Sequence, residues 1–126
     1  MFSYERSCKV RGDGGATIRA VLDRIADKWT LLVVTTLEPG RMRFTELQRH
    51  IPGVSQRMLS LTLRHLERDG LVTREVFAEV PPRVEYELTP VGRSLITPAL
   101  ALADWAIQNL PSIEQSREHH DASTTT

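Results

Sequence analysis

The chain is predicted to be mainly α-helical with a small β-hairpin, an α+β arrangement. Three observations lead there. The segment SQRMLSLTLRHLERDGLV at 55–72 reads as a serine-capped helix stopped by a glycine. The segment TREVFAEVPPRVEYEL at 73–88 reads as two strands joined by a proline-tipped loop. Helical apolar spacing lies on both sides of this pair. A capped helix followed by a hairpin is the layout of a winged helix-turn-helix, in which one helix enters a DNA major groove and the wing lies on the flanking backbone.

The 126 residues suit one domain, and 40% hydrophobic with 25% charged residues is ordinary for a globular protein. The N-terminal MFSYERSCKV has charges and no apolar run, so it does not read as a signal peptide. No stretch approaches membrane-spanning length. The single cysteine, Cys8, has no intrachain partner, which fits a reducing cytoplasm. The formal net charge is zero, an unpromising value for binding phosphate, but the charge is unevenly spread. Residues 41–74 hold seven arginines against three carboxylates, whereas residues 99–126 hold one arginine against four. The positive field is therefore local, and arginine suits bidentate contact with phosphate and guanine.

Residues 1–15, which contain GDGG, are expected to form a flexible arm. From Ala16, the positions Ile18, Val21, Leu22, Ile25 and Trp29 follow helical spacing. KWTLLVVTTL at 28–37 is apolar nearly all round, as a central buried helix should be, and EPGR ends it. A short strand is expected at 41–44. TELQ at 45–48 matches a capping box with Thr45 as cap and Gln48 reaching back, and that helix stops at Pro52-Gly53. Ser55 caps the next helix, which ends at Gly70. Strands are expected at 71–77 and 84–89. Thr89-Pro90 starts the last helix, expected to run to about Leu110 with a kink or break near Pro98. The domain is thus expected over 16–110, followed by a disordered tail at 111–126.

In the helix at 55–69, Leu59, Leu63 and Leu66 share the core face. Ser55, Gln56, Arg57, Ser60, Leu61 and Arg64 are the candidates for contact with DNA. Ser55 stands at a helix N-terminus that attracts phosphate. Gln, Arg and Ser read base edges, and Leu61 suits a thymine methyl. Arg74 at the base of the hairpin and Arg83 beside Pro81-Pro82 are the wing candidates, Arg83 for a minor groove or a phosphate. The C-terminal helix has more apolar surface than one face needs. Leu102, Trp105 and Ala106, together with Ile18 and Leu22 of the first helix, are expected to form a two-fold dimer interface. His50, His65, His119 and His120 show no metal-ligand spacing with cysteine, and no phosphate-binding glycine loop or nucleophile elbow occurs. No catalytic residue, metal or cofactor is expected.

The motifs KWTLLVV at 28–34, RFTEL at 43–47, SQRML at 55–59, LRHLERDGLVTR at 63–74 and VPPRVEYELTPVGRSL at 80–95 resemble the HxlR-type family of bacterial winged-helix regulators. In order, they cover residues 20–107. The resemblance implies a homodimeric transcription factor that pairs through its N- and C-terminal helices and acts, most simply as a repressor, on pseudo-palindromic duplex DNA. Several members use an N-terminal cysteine as a redox or electrophile sensor. Cys8 is the matching candidate, with Arg6, Lys9 and Arg11 nearby to favour its thiolate. It departs from the pattern: Lys9 follows it where proline is typical, and a glycine-containing insertion separates it from Lys28-Trp29. Leu61 stands where many members are polar, which sets the operator preference apart. The rival trigger is a small molecule held between dimer helices near Trp29 or Trp105. The rival function is a winged helix that meets protein instead of DNA.

Overall fold

The computed structural model describes residues 15–124. Two helices open it, α1 (Ala16–Ile25) and α2 (Lys28–Thr36). Asp27 separates them by capping α2, its Oδ1 accepting from the backbone N–H of Trp29 at 2.9 Å and of Thr30 at 3.3 Å. The apolar run of α2 then explains itself, since Val33, Val34 and the following Leu37 are fully buried. By contrast, α1 buries no residue of its own, and only Ile25 leans on the core.

β1 (Met42–Arg43) leads directly into α3 (Phe44–His50). The expected Thr45 cap is corrected here. Arg43 is the residue before the helix, and its N–H donates to Glu46 Oε1 at 3.3 Å. Pairing of β1 with a later strand holds Arg43 extended, which moves the helix start forward of Thr45. After Pro52-Gly53, Ser55 Oγ accepts from Met58 N–H at 3.1 Å and opens α4 (Gln56–Arg68). Gly70 closes it at φ +78°. Gly70 N–H donates to Glu67 O (3.1 Å) and Leu71 N–H to Leu66 O (2.9 Å), the paired bonds of a Schellman motif.

β2 (Val72–Phe77) and β3 (Arg83–Leu88) form the hairpin, and β1 adds to β3, giving the antiparallel order β1-β3-β2. Register sets Val72 against Leu88 and Phe77 against Arg83. The sheet alternates as half-buried strands do: Tyr86 and Leu88 are buried while Glu85 and Glu87 face outward. α2 and α4 pack on each other, and Leu47, Leu59, Leu63, Leu66, Val72 and Tyr86 close the core between them and the sheet.

Thr89 caps α5 (Pro90–Ser94), its Oγ1 accepting from Gly92 N–H at 3.1 Å. The break before α6 (Ile96–Thr124) falls at Leu95, not at Pro98. Pro98 lies in the first turn of α6, where a backbone N–H has no intrahelical acceptor, so a proline breaks nothing there. The expected end at Leu110 and the expected disordered tail are likewise corrected for residues 111–124, which continue α6 through Pro111. Pro111 is exposed, so water can take the carbonyl it leaves unbonded. The residues beyond it, including Glu114, Gln115, Arg117 and Glu118, favour helix. The 29 residues of α6 span about 44 Å, and among them only Ala99 is buried.

Candidate nucleic-acid interface

With Leu59, Leu63 and Leu66 committed to the core, the opposite side of α4 is fixed by helical geometry. Arg57, Leu61, Arg64 and Arg68 follow one another four, three and four residues apart and form one exposed stripe. Ser60 flanks the stripe on the hairpin side, and Ser55 and Gln56 lie exposed at its N-terminal end. Leu61 is 40% exposed. It borders a shallow groove toward α1 that also includes Met58 and His65.

Arg74 belongs to the same surface. Its register partner is the buried Tyr86, so it points to the α4 side of the sheet. There it shares a groove with Ser60, Arg64 and Glu67. A larger groove of about 490 Å³ continues from Ser60 and Arg74 to Arg43, Thr45 and the hairpin loop. Sequence reasoning missed Arg43 and Thr45 as members of this surface. The available signal was RFTEL at the entrance to a short helix, but Thr45 was read only as a cap.

Seven arginines on or beside this surface fall into two groups. Arg43, Arg57, Arg64, Arg68 and Arg74 have no carboxylate within ion-pairing distance among the described residues. Arg41 and Arg83 are held by carboxylates on the outer face of the hairpin. Arg41 Nη1 donates to Glu75 Oε2 at 2.6 Å, and the Arg41 guanidinium lies 3.7 Å from both Glu85 and Glu87. The hydrogen bond that Arg41 donates to Glu75, helped by the charges of Glu75, Glu87 and Glu85, pushes the Arg41 pKa above its already high ordinary value. Arg83, the wing candidate for a minor groove or a phosphate, pairs with Glu79 at 3.3 Å and Glu85 at 3.0 Å.

Ile18, Leu22, Leu102, Trp105 and Ala106 all lie exposed on α1 and α6, and Trp105 retains 56% of its accessibility. Cys8 and residues 1–14 of the expected arm lie outside the described residues. Among the described residues, no group of three or more His, Cys, Asp or Glu is placed to hold a metal ion. No helix among them is long and apolar enough to cross a membrane.

A helix-turn-helix carrying unpaired arginines on its second helix, followed by a β-hairpin wing, defines a DNA-binding transcriptional regulator. Comparison with known proteins narrows the class: residues 24–114 match the model of the HxlR-like helix-turn-helix, and the chain belongs to that family. It is 49% identical over 89 residues to an HTH-type transcriptional regulator of Methanothermobacter thermautotrophicus, covering 71% of this chain and 68% of that protein. Among solved structures, it is similar to the transcriptional regulator YtfH from Salmonella typhimurium, with TM-score 0.74 and 42% identity over 80% of this chain and 90% of that one. It is also similar to the redox regulator HypR in its reduced form, with TM-score 0.71 and 41% identity over 79% and 99% of the two chains.

Proposed function

We propose that the chain acts in the cytoplasm as a homodimeric repressor that reads a pseudo-palindromic operator with α4, and that Ser55, Gln56, Arg57, Ser60, Leu61, Arg64 and Arg74 make the contacts. The observation that supports this reading most is the set of unpaired arginines on α4 and β2. A guanidinium with no protein partner gives up no ion pair when it meets a phosphate or a guanine. The dimer is supported by exposed apolar side chains on both terminal helices, Ile18 and Leu22 on α1, Leu102 and Trp105 on α6. Two copies related by a two-fold axis present two α4 helices to half-sites about one helical turn, or a multiple, apart.

The trigger in this reading is oxidation or alkylation of Cys8, supported by the likeness to HypR, a redox regulator solved in reduced and oxidised forms. Fluorescence anisotropy on a duplex selected from a random-sequence pool, beside a scrambled duplex at two salt concentrations, tests the core of the proposal. Tight binding to the selected duplex alone, with a steep salt slope, is expected. Equal, weak binding to both sinks it. Adding oxidant to wild type and to Cys8→Ser then separates a thiol trigger from a small molecule near Trp29 or Trp105. A response retained by Cys8→Ser excludes the thiol.

A further inference from the structure

Arg83 stands where the hairpin loop rejoins β3, and three side chains hold it there. Its Nη1 lies 3.3 Å from Glu79 Oε1. Its Nε lies 3.0 Å from Glu85 Oε2, an ion pair outside hydrogen-bonding angles. Its guanidinium carbon sits 4.1 Å from the centre of the Phe77 ring, directly across the ladder. The pair between Glu79 and Arg83 brackets the loop residues Val80, Pro81 and Pro82 like a clasp. Those three are uncharged and exposed, and Val80 has 101% of its reference accessibility.

We infer that the wing meets DNA through the apolar edge of Val80, Pro81 and Pro82, packed on deoxyribose in a minor groove, and that Arg83 is a positioning residue that holds this edge. The inference rests on the reading that α4 and the hairpin share one DNA face. The edge lines the same groove as Ser60 and Arg74, so it continues that face. Paired prolines have little freedom to lose on docking, and apolar side chains with proline are a known means of engaging a minor groove. Electrostatics argue the same way. If Arg83 left its partners for a phosphate, Glu79 would lose its ion pair and Glu85 would keep only Arg41, both beside a polyanion. With Arg83 in place, both carboxylates are ion-paired, Glu85 with Arg41 as well, and the uncharged edge stands exposed beside them.

The test uses the full chain and the selected duplex, read by anisotropy across a salt series. Val80→Ser alters a fully exposed side chain, so its thermal unfolding should match wild type. Its affinity is expected to fall about fivefold with the salt slope unchanged. Arg83→Gln should weaken binding with the slope unchanged, and Arg83→Lys should not rescue it, because an ammonium cannot span both carboxylates and stack on Phe77. The double variant Glu79→Gln with Glu85→Gln removes two negative charges and is still expected to weaken binding. Wild-type affinity for Val80→Ser overturns the apolar contact. Tighter binding by the double glutamine variant, or a slope lower by about one ion for Arg83→Gln, overturns the positioning role. Arg64→Ala is the control. If it binds as wild type does, the shared DNA face fails and the wing assignment fails with it. If it weakens while Val80→Ser does not, only the wing inference fails.

Discussion

Replacing Gly92 with alanine tests the joint between the wing and the long terminal helix. A Cβ built on Gly92 falls 2.1 Å from the carbonyl oxygen of Leu71 and 3.1 Å from Leu88 Cδ2. Ordinary van der Waals separation is roughly 3.5 Å, so α5 and the β2 entrance must part by about 1.4 Å. The obstacle is backbone, which cannot rotate aside as a side chain can. That same Leu71 carbonyl accepts from Thr89 N–H at 3.0 Å, and Thr89 Oγ1 donates to Gly70 O at 2.6 Å. Moving α5 stretches both bonds, at about 1 kcal/mol each. Overpacking adds about 1–3 kcal/mol, and the helix preference of alanine over glycine returns at most about 1 kcal/mol. The net loss is about 2–4 kcal/mol, or roughly 10–25 °C in Tm for a domain of this size. Thermal unfolding followed by far-UV circular dichroism, at one fixed protein concentration, measures it. A variant melting within about 2 °C of wild type would refute the steric reasoning.

Other perturbations probe the interface and the core. Arg64→Ala should cost about 1–3 kcal/mol of affinity for the selected duplex if it reads a base; equal weakening on scrambled DNA would reduce it to a phosphate contact. Leu63→Ala, at a position 1% exposed, should destabilise the fold by about 2–5 kcal/mol in urea unfolding, and a loss under 1 kcal/mol would mean the core is not packed as described. Leu102→Glu with Trp105→Glu should turn a dimer into a folded monomer in sedimentation equilibrium; an unchanged mass would remove α6 from the interface. A dimer using only the five interface arginines Arg43, Arg57, Arg64, Arg68 and Arg74 of each chain should bind with a salt slope near about −9. Recruiting Arg41 and Arg83 as well would bring it to about −13.

Much of the domain was legible because its signals are local. Ser55 and Gly70 mark the two ends of α4, and the alternation through Tyr86 and Leu88 marks β3. Thr89-Pro90 marks the start of α5 in the same way. What escaped depends on residues distant in sequence or on position within a turn. The start of α3 is set by β1 pairing with β3, some forty residues later, which a capping pattern at TELQ cannot report. Pro98 looked like a breaker because its place in the first turn was unknown. The helix beyond Pro111 was masked by the polar end of the chain, although the residues after the proline favour helix. The ion pairs of Arg83 were not legible for a related reason. Its surroundings depend on the hairpin register that sets Phe77 opposite it, and loop length does not reveal that register.

The division of the arginines follows from the hairpin itself. Glu75 and Glu85 are direct cross-strand partners, and like charges so placed push a ladder apart. Glu87 and Glu79 add to the same repulsion. Arg41 lies across three of these carboxylates and Arg83 across two, so the outer face of the wing holds together as a charge network. A wing without those glutamates would leave both cations free, but it would also draw the loop toward any phosphate in reach. In this network two guanidinium groups face four carboxylates, so the outer face of the hairpin keeps a net negative charge, and the positive field is concentrated on α4 and on Arg74 beside it. Non-specific attraction scales with the number of free cations. On the proposed reading, holding Arg41 and Arg83 in ion pairs therefore lowers affinity for random sequence more than it lowers the contribution of α4.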